Sequence, residues 1–196
     1  MSDIHLLRDG ELVHYPHMIE VERKYRLTTD QFNEIKTRLL EIDPSATTLS
    51  QEDTVFLHGI SSFKEFSPGM PVVRIRTENG KSKLTYKKAL NEQGDSIEHE
   101  VGIDNADTMH SILSADDYQV VTKVTKDRLE VKDGALTYAL DTVRHLGFFL
   151  EIEVMTAGED EISNAETQIK AAAEKFGLTD TEIETKKYDQ LMKKKL

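Results

Sequence analysis

Apolar and polar positions alternate along much of this chain. In "IEVERKYRL", residues 19–27, Ile19, Val21, Tyr25 and Leu27 share one parity, and Glu20, Glu22, Lys24 and Arg26 share the other. A period of two is the signature of a strand whose side chains point to opposite faces. The same alternation predicts strands at 50–58, on both sides of Asn79-Gly80, at 96–103, on both sides of Asp133-Gly134, and over "GFFLEIEVM". Asn-Gly and Asp-Gly between alternating runs signal two-residue hairpins. Helical spacing is rarer. Phe32, Ile35, Leu39 and Ile42 fall on one helical face, with Thr29 or Asp30 as the cap and Pro44 as the stop. A short helix capped near Asp104 or Asn105 and a longer one over "EISNAETQIKAAAEKFGL", ended by Gly177, complete the set. Residues 1–17 read as an irregular lead-in with a short element at Glu11–Tyr15, and the C-terminal tail is mixed.

About eight strands and about three helices, joined by short connections, give an α+β chain that is mainly β. Without strict strand–helix alternation or a low-complexity linker, residues 18–196 form one antiparallel domain. Its strands close into a barrel or stack as a sandwich.

The polar faces narrow that choice. Like charges sit two apart and segregate by sign: acids at Glu20 and Glu22, bases at Arg74 and Arg76 and at Lys83 and Lys87, and acids at Glu98 and Glu100. Bases follow at Lys126 and Arg128, then acids at Glu151 and Glu153, with Asp141 also on a polar parity. A solvated face mixes its polar residues, so this order points to a shared, water-filled lumen with helices outside. Carboxylates suit a hard divalent cation, and Arg and Lys suit phosphate oxygens. Both together point to a metal–polyphosphate complex.

Composition removes other classes. The net charge of −11 argues against a general nucleic-acid binder, and the absence of cysteine excludes disulfides and thiolate metal sites. No apolar run reaches membrane-spanning length, and the N-terminus lacks a secretion signal, so a cytoplasmic location is expected.

In order along the chain, "EVERK", "QEDTVF", "RIR" with "KLTYK", "KVTKDR", "LDTV…LGFFLEIEV" and "KKYDQL" resemble the successive motifs of the CYTH family, the triphosphate tunnel metalloenzymes. That resemblance implies a closed eight-stranded antiparallel barrel with Mg²⁺ or Mn²⁺ as cofactor and a triphosphate-bearing small molecule as partner. It makes Glu20, Glu22, Asp141, Glu151 and Glu153 metal ligands. Lys24, Arg74, Arg76, Lys87, Lys126, Arg128 and Lys186 become phosphate contacts, with Glu20, Glu22, Lys24 and Lys87 in the catalytic set. The closing motif departs from the family in having Lys187 where Ser is usual, and Lys83 and Lys88 flank Lys87, leaving open which of them points inward. The family contains triphosphatases and class IV adenylyl cyclases. The leading expectation is hydrolysis of the terminal phosphate of inorganic, thiamine or nucleoside triphosphate. The alternatives are a cyclase that makes cyclic AMP and pyrophosphate, and a polyphosphate-binding module without turnover. A monomer or a homodimer is expected.

Other features carry less. His14 and His17 form an H-x-x-H without the following Glu or third ligand of a zinc site, and no P-loop is present. Ser61, Ser62, Phe63 and Phe66 lie in a connection that either covers a tunnel mouth or is ordinary surface.

Overall fold

The computed structural model describes residues 18–60, 70–91 and 95–192, and the backbone of 5–8 and 11–14. His17, Ser61, Ser62, Phe63 and Phe66 lie outside the described residues, as does the side chain of His14. A two-stranded antiparallel hairpin joins β1 (His5–Arg8) to β2 (Glu11–His14); β2 falls on the short element expected at Glu11–Tyr15, and β1 stands where the lead-in was expected to be irregular. The Asp9-Gly10 pair between two Leu-containing runs is the same hairpin signal as Asp133-Gly134.

Eight further strands follow in the predicted places: β3 (Ile19–Leu27), β4 (Thr48–His58), β5 (Val72–Glu78), β6 (Lys81–Ala89), β7 (Ser96–Ile103), β8 (Tyr118–Asp133), β9 (Leu136–Val143) and β10 (Gly147–Thr156). They close into a barrel in the order β10-β3-β7-β6-β5-β4-β8-β9, with every neighbouring pair antiparallel. Asn79 and Gly80, at φ 50° and 73°, make the predicted tight turn between β5 and β6.

The apolar parity of the strands faces outward, onto helices. α1 (Thr29–Ile42) and α3 (Ile162–Lys175) lay Ile35, Leu39, Ala165, Ile169, Ala172 and Ala173 on Val21, Tyr25, Leu140, Leu150 and Ile152 of β3, β9 and β10. α2 (Ala106–Ala115) places Leu113 against Phe56, Val73 and Ile75 of β4 and β5. With the apolar faces turned out onto helices, the charged parity is left to line the lumen.

Three details differ from the pattern in the sequence. Thr28 caps α1, because it forms a reciprocal capping box with Gln31. Ile42, at the last turn of α1, is 43 % exposed and contributes nothing to the core. The C-terminal tail carries a fourth helix, α4 (Tyr188–Met192), too short to show a helical period in sequence.

The barrel has one thin seam. β3 and β7 share only the pairs Ile19–Ile97 and Glu20–Ser96. Beyond them the free edge of β3 is taken up by the C-terminal segment: Ile183 bridges Tyr25, and the Glu184 N–H donates to the Lys24 carbonyl at 2.8 Å.

Candidate active site

Neighbouring strands are staggered, so inward side chains fall into tiers that can be followed from register to register around the barrel. One tier holds Glu22, Lys87, Arg74, Asp53, Lys126, Asp141 and Glu151. The next holds Glu20, Glu98, Thr85, Arg76, Gln51, Arg128 and Glu153. Lys83 and Glu100 pair at 2.9 Å at the solvent-facing end, where Met18 and Met155 are exposed. At the other end Val124, Val143 and Phe149 face inward and are covered by Tyr188 and Leu191 of α4. The lumen is thus a charged passage with an apolar stopper.

Three acids converge in it. One carboxylate oxygen from each of Glu20, Glu22 and Glu153 lies within 4.8 Å of the other two. Burial, then the charges of Glu22 and Glu98 opposed by Lys87, leaves Glu20 raised from 4.5 to about 7. Burial and the neighbouring Glu20 carboxylate push Glu153 well above the usual range. Burial would raise Glu22 too, but Lys187, Lys87 and Lys24 together hold it well below. Crowded, desolvated carboxylates of this kind have the donor chemistry of a hard divalent-cation site.

Asp141 and Glu151 belong to a different group. Arg128 donates from Nε to Asp141 Oδ1 at 2.7 Å and from Nη2 to Oδ2 at 2.6 Å, and Lys126 and Tyr188 reach Oδ2 at 3.0 and 2.9 Å. Arg128 also holds Glu151, whose other oxygen lies 3.9 Å from Lys24. Although fully buried, Asp141 is held well below its ordinary value by Arg128 and Lys126. Its oxygens are already engaged by cations and a hydroxyl, so the five acids expected to act together on metal divide into three that meet and two that hold the basic wall.

The basic residues also differ in how firmly they are held. Arg76 is gripped by both oxygens of Asp53, at 2.7 and 2.8 Å. Among the described residues, Arg74 lies 3.8 Å from Asp53, makes a 3.4 Å contact to Thr85, and has a buried Nε without a hydrogen-bond partner. Lys87 reaches across the seam to Glu20 at 2.6 Å and Glu22 at 3.7 Å, and pairs with Glu98 on the neighbouring β7. Burial and the nearby Arg128 lower Lys126 to about 8. Lys24 is lowered by burial, with Glu151 and Glu22 opposing, and its ammonium lies over the Tyr188 ring.

Among the lysines left open, Lys83 sits at the mouth, Lys88 is exposed outside, and Lys187 reaches into the lumen to Glu22. Lys186, expected at the phosphates, is exposed instead, because the turn into α4 points the next residue inward. Arg26 shares the inward parity but lies near the strand end, bonded to the Leu146 carbonyl and Glu184 and stacked over Phe149. Asp53 and Tyr188, which orient Arg76 and Asp141, were missed as site residues. Their signal was present, since Asp53 shares the inward parity of β4 and Tyr188 belongs to "KKYDQL".

The closed eight-stranded barrel thus sets a triad of acids and a set of Arg and Lys in one lumen. The CYTH domain profile matches residues 18–188, and the chain belongs to that family. It is 28% identical over 138 residues to MJ0240 of Methanocaldococcus jannaschii, named as a candidate adenylate cyclase, covering 69% of this chain and 77% of that one. PH1819 of Pyrococcus horikoshii OT3 superposes with a TM-score of 0.75 at 27% identity, over 90% of this chain and 99% of that one. HpAC1 from Hippeastrum, described as a candidate adenylyl cyclase with a dominant triphosphatase activity, shares the fold at a TM-score of 0.53 and 18% identity, over 82% and 88% of the chains.

Proposed function

We propose that this protein is a divalent-metal-dependent triphosphatase of the cytoplasm that removes the terminal phosphate of a triphosphate drawn into the barrel. One observation carries the reading: Glu20, Glu22 and Glu153 meet in the lumen, and Arg74, Arg76, Lys126 and Arg128 line it in the same two tiers. Glu20, Glu22 and Glu153 would hold Mg²⁺ or Mn²⁺. Bound there, the ion supplies neutralisation of the phosphate charge and polarisation of a phosphoryl oxygen.

The chain's own groups do the rest. Arg74, with its unpartnered buried Nε, is set to donate to a phosphate oxygen, beside Arg76 and Arg128 in geometries set by Asp53 and Asp141. Lys24 and Lys126 face the inner end of the phosphate chain. Beyond them lies the apolar cluster of Val124, Val143, Phe149, Tyr188 and Leu191.

The described lumen is built to recognise the phosphate chain. Among the described residues only Phe149 and Tyr188 offer rings to the lumen, and they meet edge to face at 5.1 Å beneath Arg26, Lys24 and Lys126. Neither of these two rings is open to a base, so recognition by the described lumen falls on the phosphate chain. Cyclisation needs a nucleoside gripped firmly enough to bring its 3′-hydroxyl to the α-phosphorus.

Product analysis tests this. The protein is incubated with inorganic triphosphate, thiamine triphosphate and ATP, each with Mg²⁺ or Mn²⁺. Orthophosphate as the sole new phosphate from any of the three, beside the shortened chain, supports the proposal. Cyclic AMP with pyrophosphate would replace it with a cyclase, and binding without products would make the chain a polyphosphate module.

A further inference from the structure

The C-terminal segment does more than close the barrel. Residues 183–184 run along the free edge of β3, and Tyr188 then seats its hydroxyl on Asp141. Between these anchors Lys187 extends its ammonium onto Glu22, one of the three converging acids. Lys87 approaches the same carboxylate at 3.7 Å, so Glu22 is charge-compensated from within the protein. An oxygen that accepts from an ammonium cannot at the same time direct that lone pair at a cation. Lys186, one residue earlier, carries the same charge but is exposed.

We propose that Lys187 is a built-in counter-cation for Glu22: it occupies the acid when no metal is bound and gives it up to a divalent ion. This rests on the reading of Glu20, Glu22 and Glu153 as the metal site. Metal binding is then coupled to the strap that carries Lys187, and by reciprocity any change that loosens the strap's hold on Glu22 tightens metal binding. The step is an exchange of ionic contacts, with no covalent bond made or broken.

The test uses Mn²⁺ alone, titrated calorimetrically into the full chain at fixed pH and ionic strength. Lys187→Met should bind Mn²⁺ about tenfold more tightly than the parent, a factor equal to about 1.4 kcal/mol. Lys187→Arg, which keeps the charge, and Lys186→Met, which removes the exposed one, should match the parent. Lys187→Gln supplies a second neutral side chain, so the result does not hang on the folding of one variant. Equal or weaker binding by Lys187→Met and Lys187→Gln would overturn the proposal. An equal gain from Lys186→Met would do so too, since removing any nearby charge would then suffice. A parent that takes up no Mn²⁺ would overturn the metal site itself, and the counter-cation with it.

Discussion

Asp141 and Glu153 both point into the lumen, yet their surroundings give them opposite roles. Asp141 anchors Lys126, Arg128 and Tyr188, so Asp141→Asn leaves two buried cations short of their counter-charge. Breaking such a buried cluster from one side should cost on the order of 3–5 kcal/mol in a urea melt. A loss under about 1 kcal/mol, the scale of an exposed pair, would show that Asp141 is not the anchor. Glu153 is crowded by Glu20, and both acids have raised pKa values. For Glu20 the folded protein keeps a proton between 4.5 and about 7 that the unfolded chain sheds, so metal-free stability falls as pH rises through that window. Glu153→Gln removes the repulsion. In EDTA it should therefore exceed the parent in stability at about pH 8 and lose that advantage by about pH 5. An advantage that is the same at both values would contradict the crowding. Arg74 and Arg76 divide similarly. Arg74→Ala should weaken triphosphate binding on the order of tenfold or more with little effect on folding, as for loss of a charge-assisted contact. Arg76→Ala should also destabilise the fold, because Asp53 loses its bidentate partner. Equal melting midpoints for the two variants would show that the bidentate grip adds nothing. Parity pointed to most of the inward-facing strand residues, but Asp53 was not picked out, and in the tail Lys187 turns inward, not Lys186. Which inward residues meet was not legible, because that depends on the stagger of strands far apart in sequence, such as β3 and β10.

At the scale of elements, strands were legible because one face is apolar and the other charged, and their turns carry Asn-Gly or Asp-Gly. The barrel order was not, since β3 pairs with both β10 and β7 across long stretches of chain. α4 was also hidden: five residues give no helical period, and its packing surface is created only when the barrel closes. Leu191 packs there with Val124, Val143 and Phe149. Leu191→Ala should cost about 2 kcal/mol or more in denaturant unfolding, as for other buried Leu truncations. A cost below about 0.5 kcal/mol, typical of surface changes, would mean that α4 is a loose tail and not a stopper.

For the whole molecule, the net charge of −11 says nothing about where the charges lie. The barrel gathers acids and bases of both signs into one lumen and leaves the helices to cover its outside. The central claim is that this lumen takes a metal ion and a phosphate chain together, and melting curves of the parent test it most directly. They are recorded alone, with Mg²⁺, with inorganic triphosphate, and with both. Both ligands together, at a hundredfold excess over their dissociation constant, should stabilise the fold by about 2.7 kcal/mol through mass action, well beyond the sum of the separate effects. A melting temperature unmoved by the pair, or a shift by triphosphate that Mg²⁺ does not enlarge, would contradict the account.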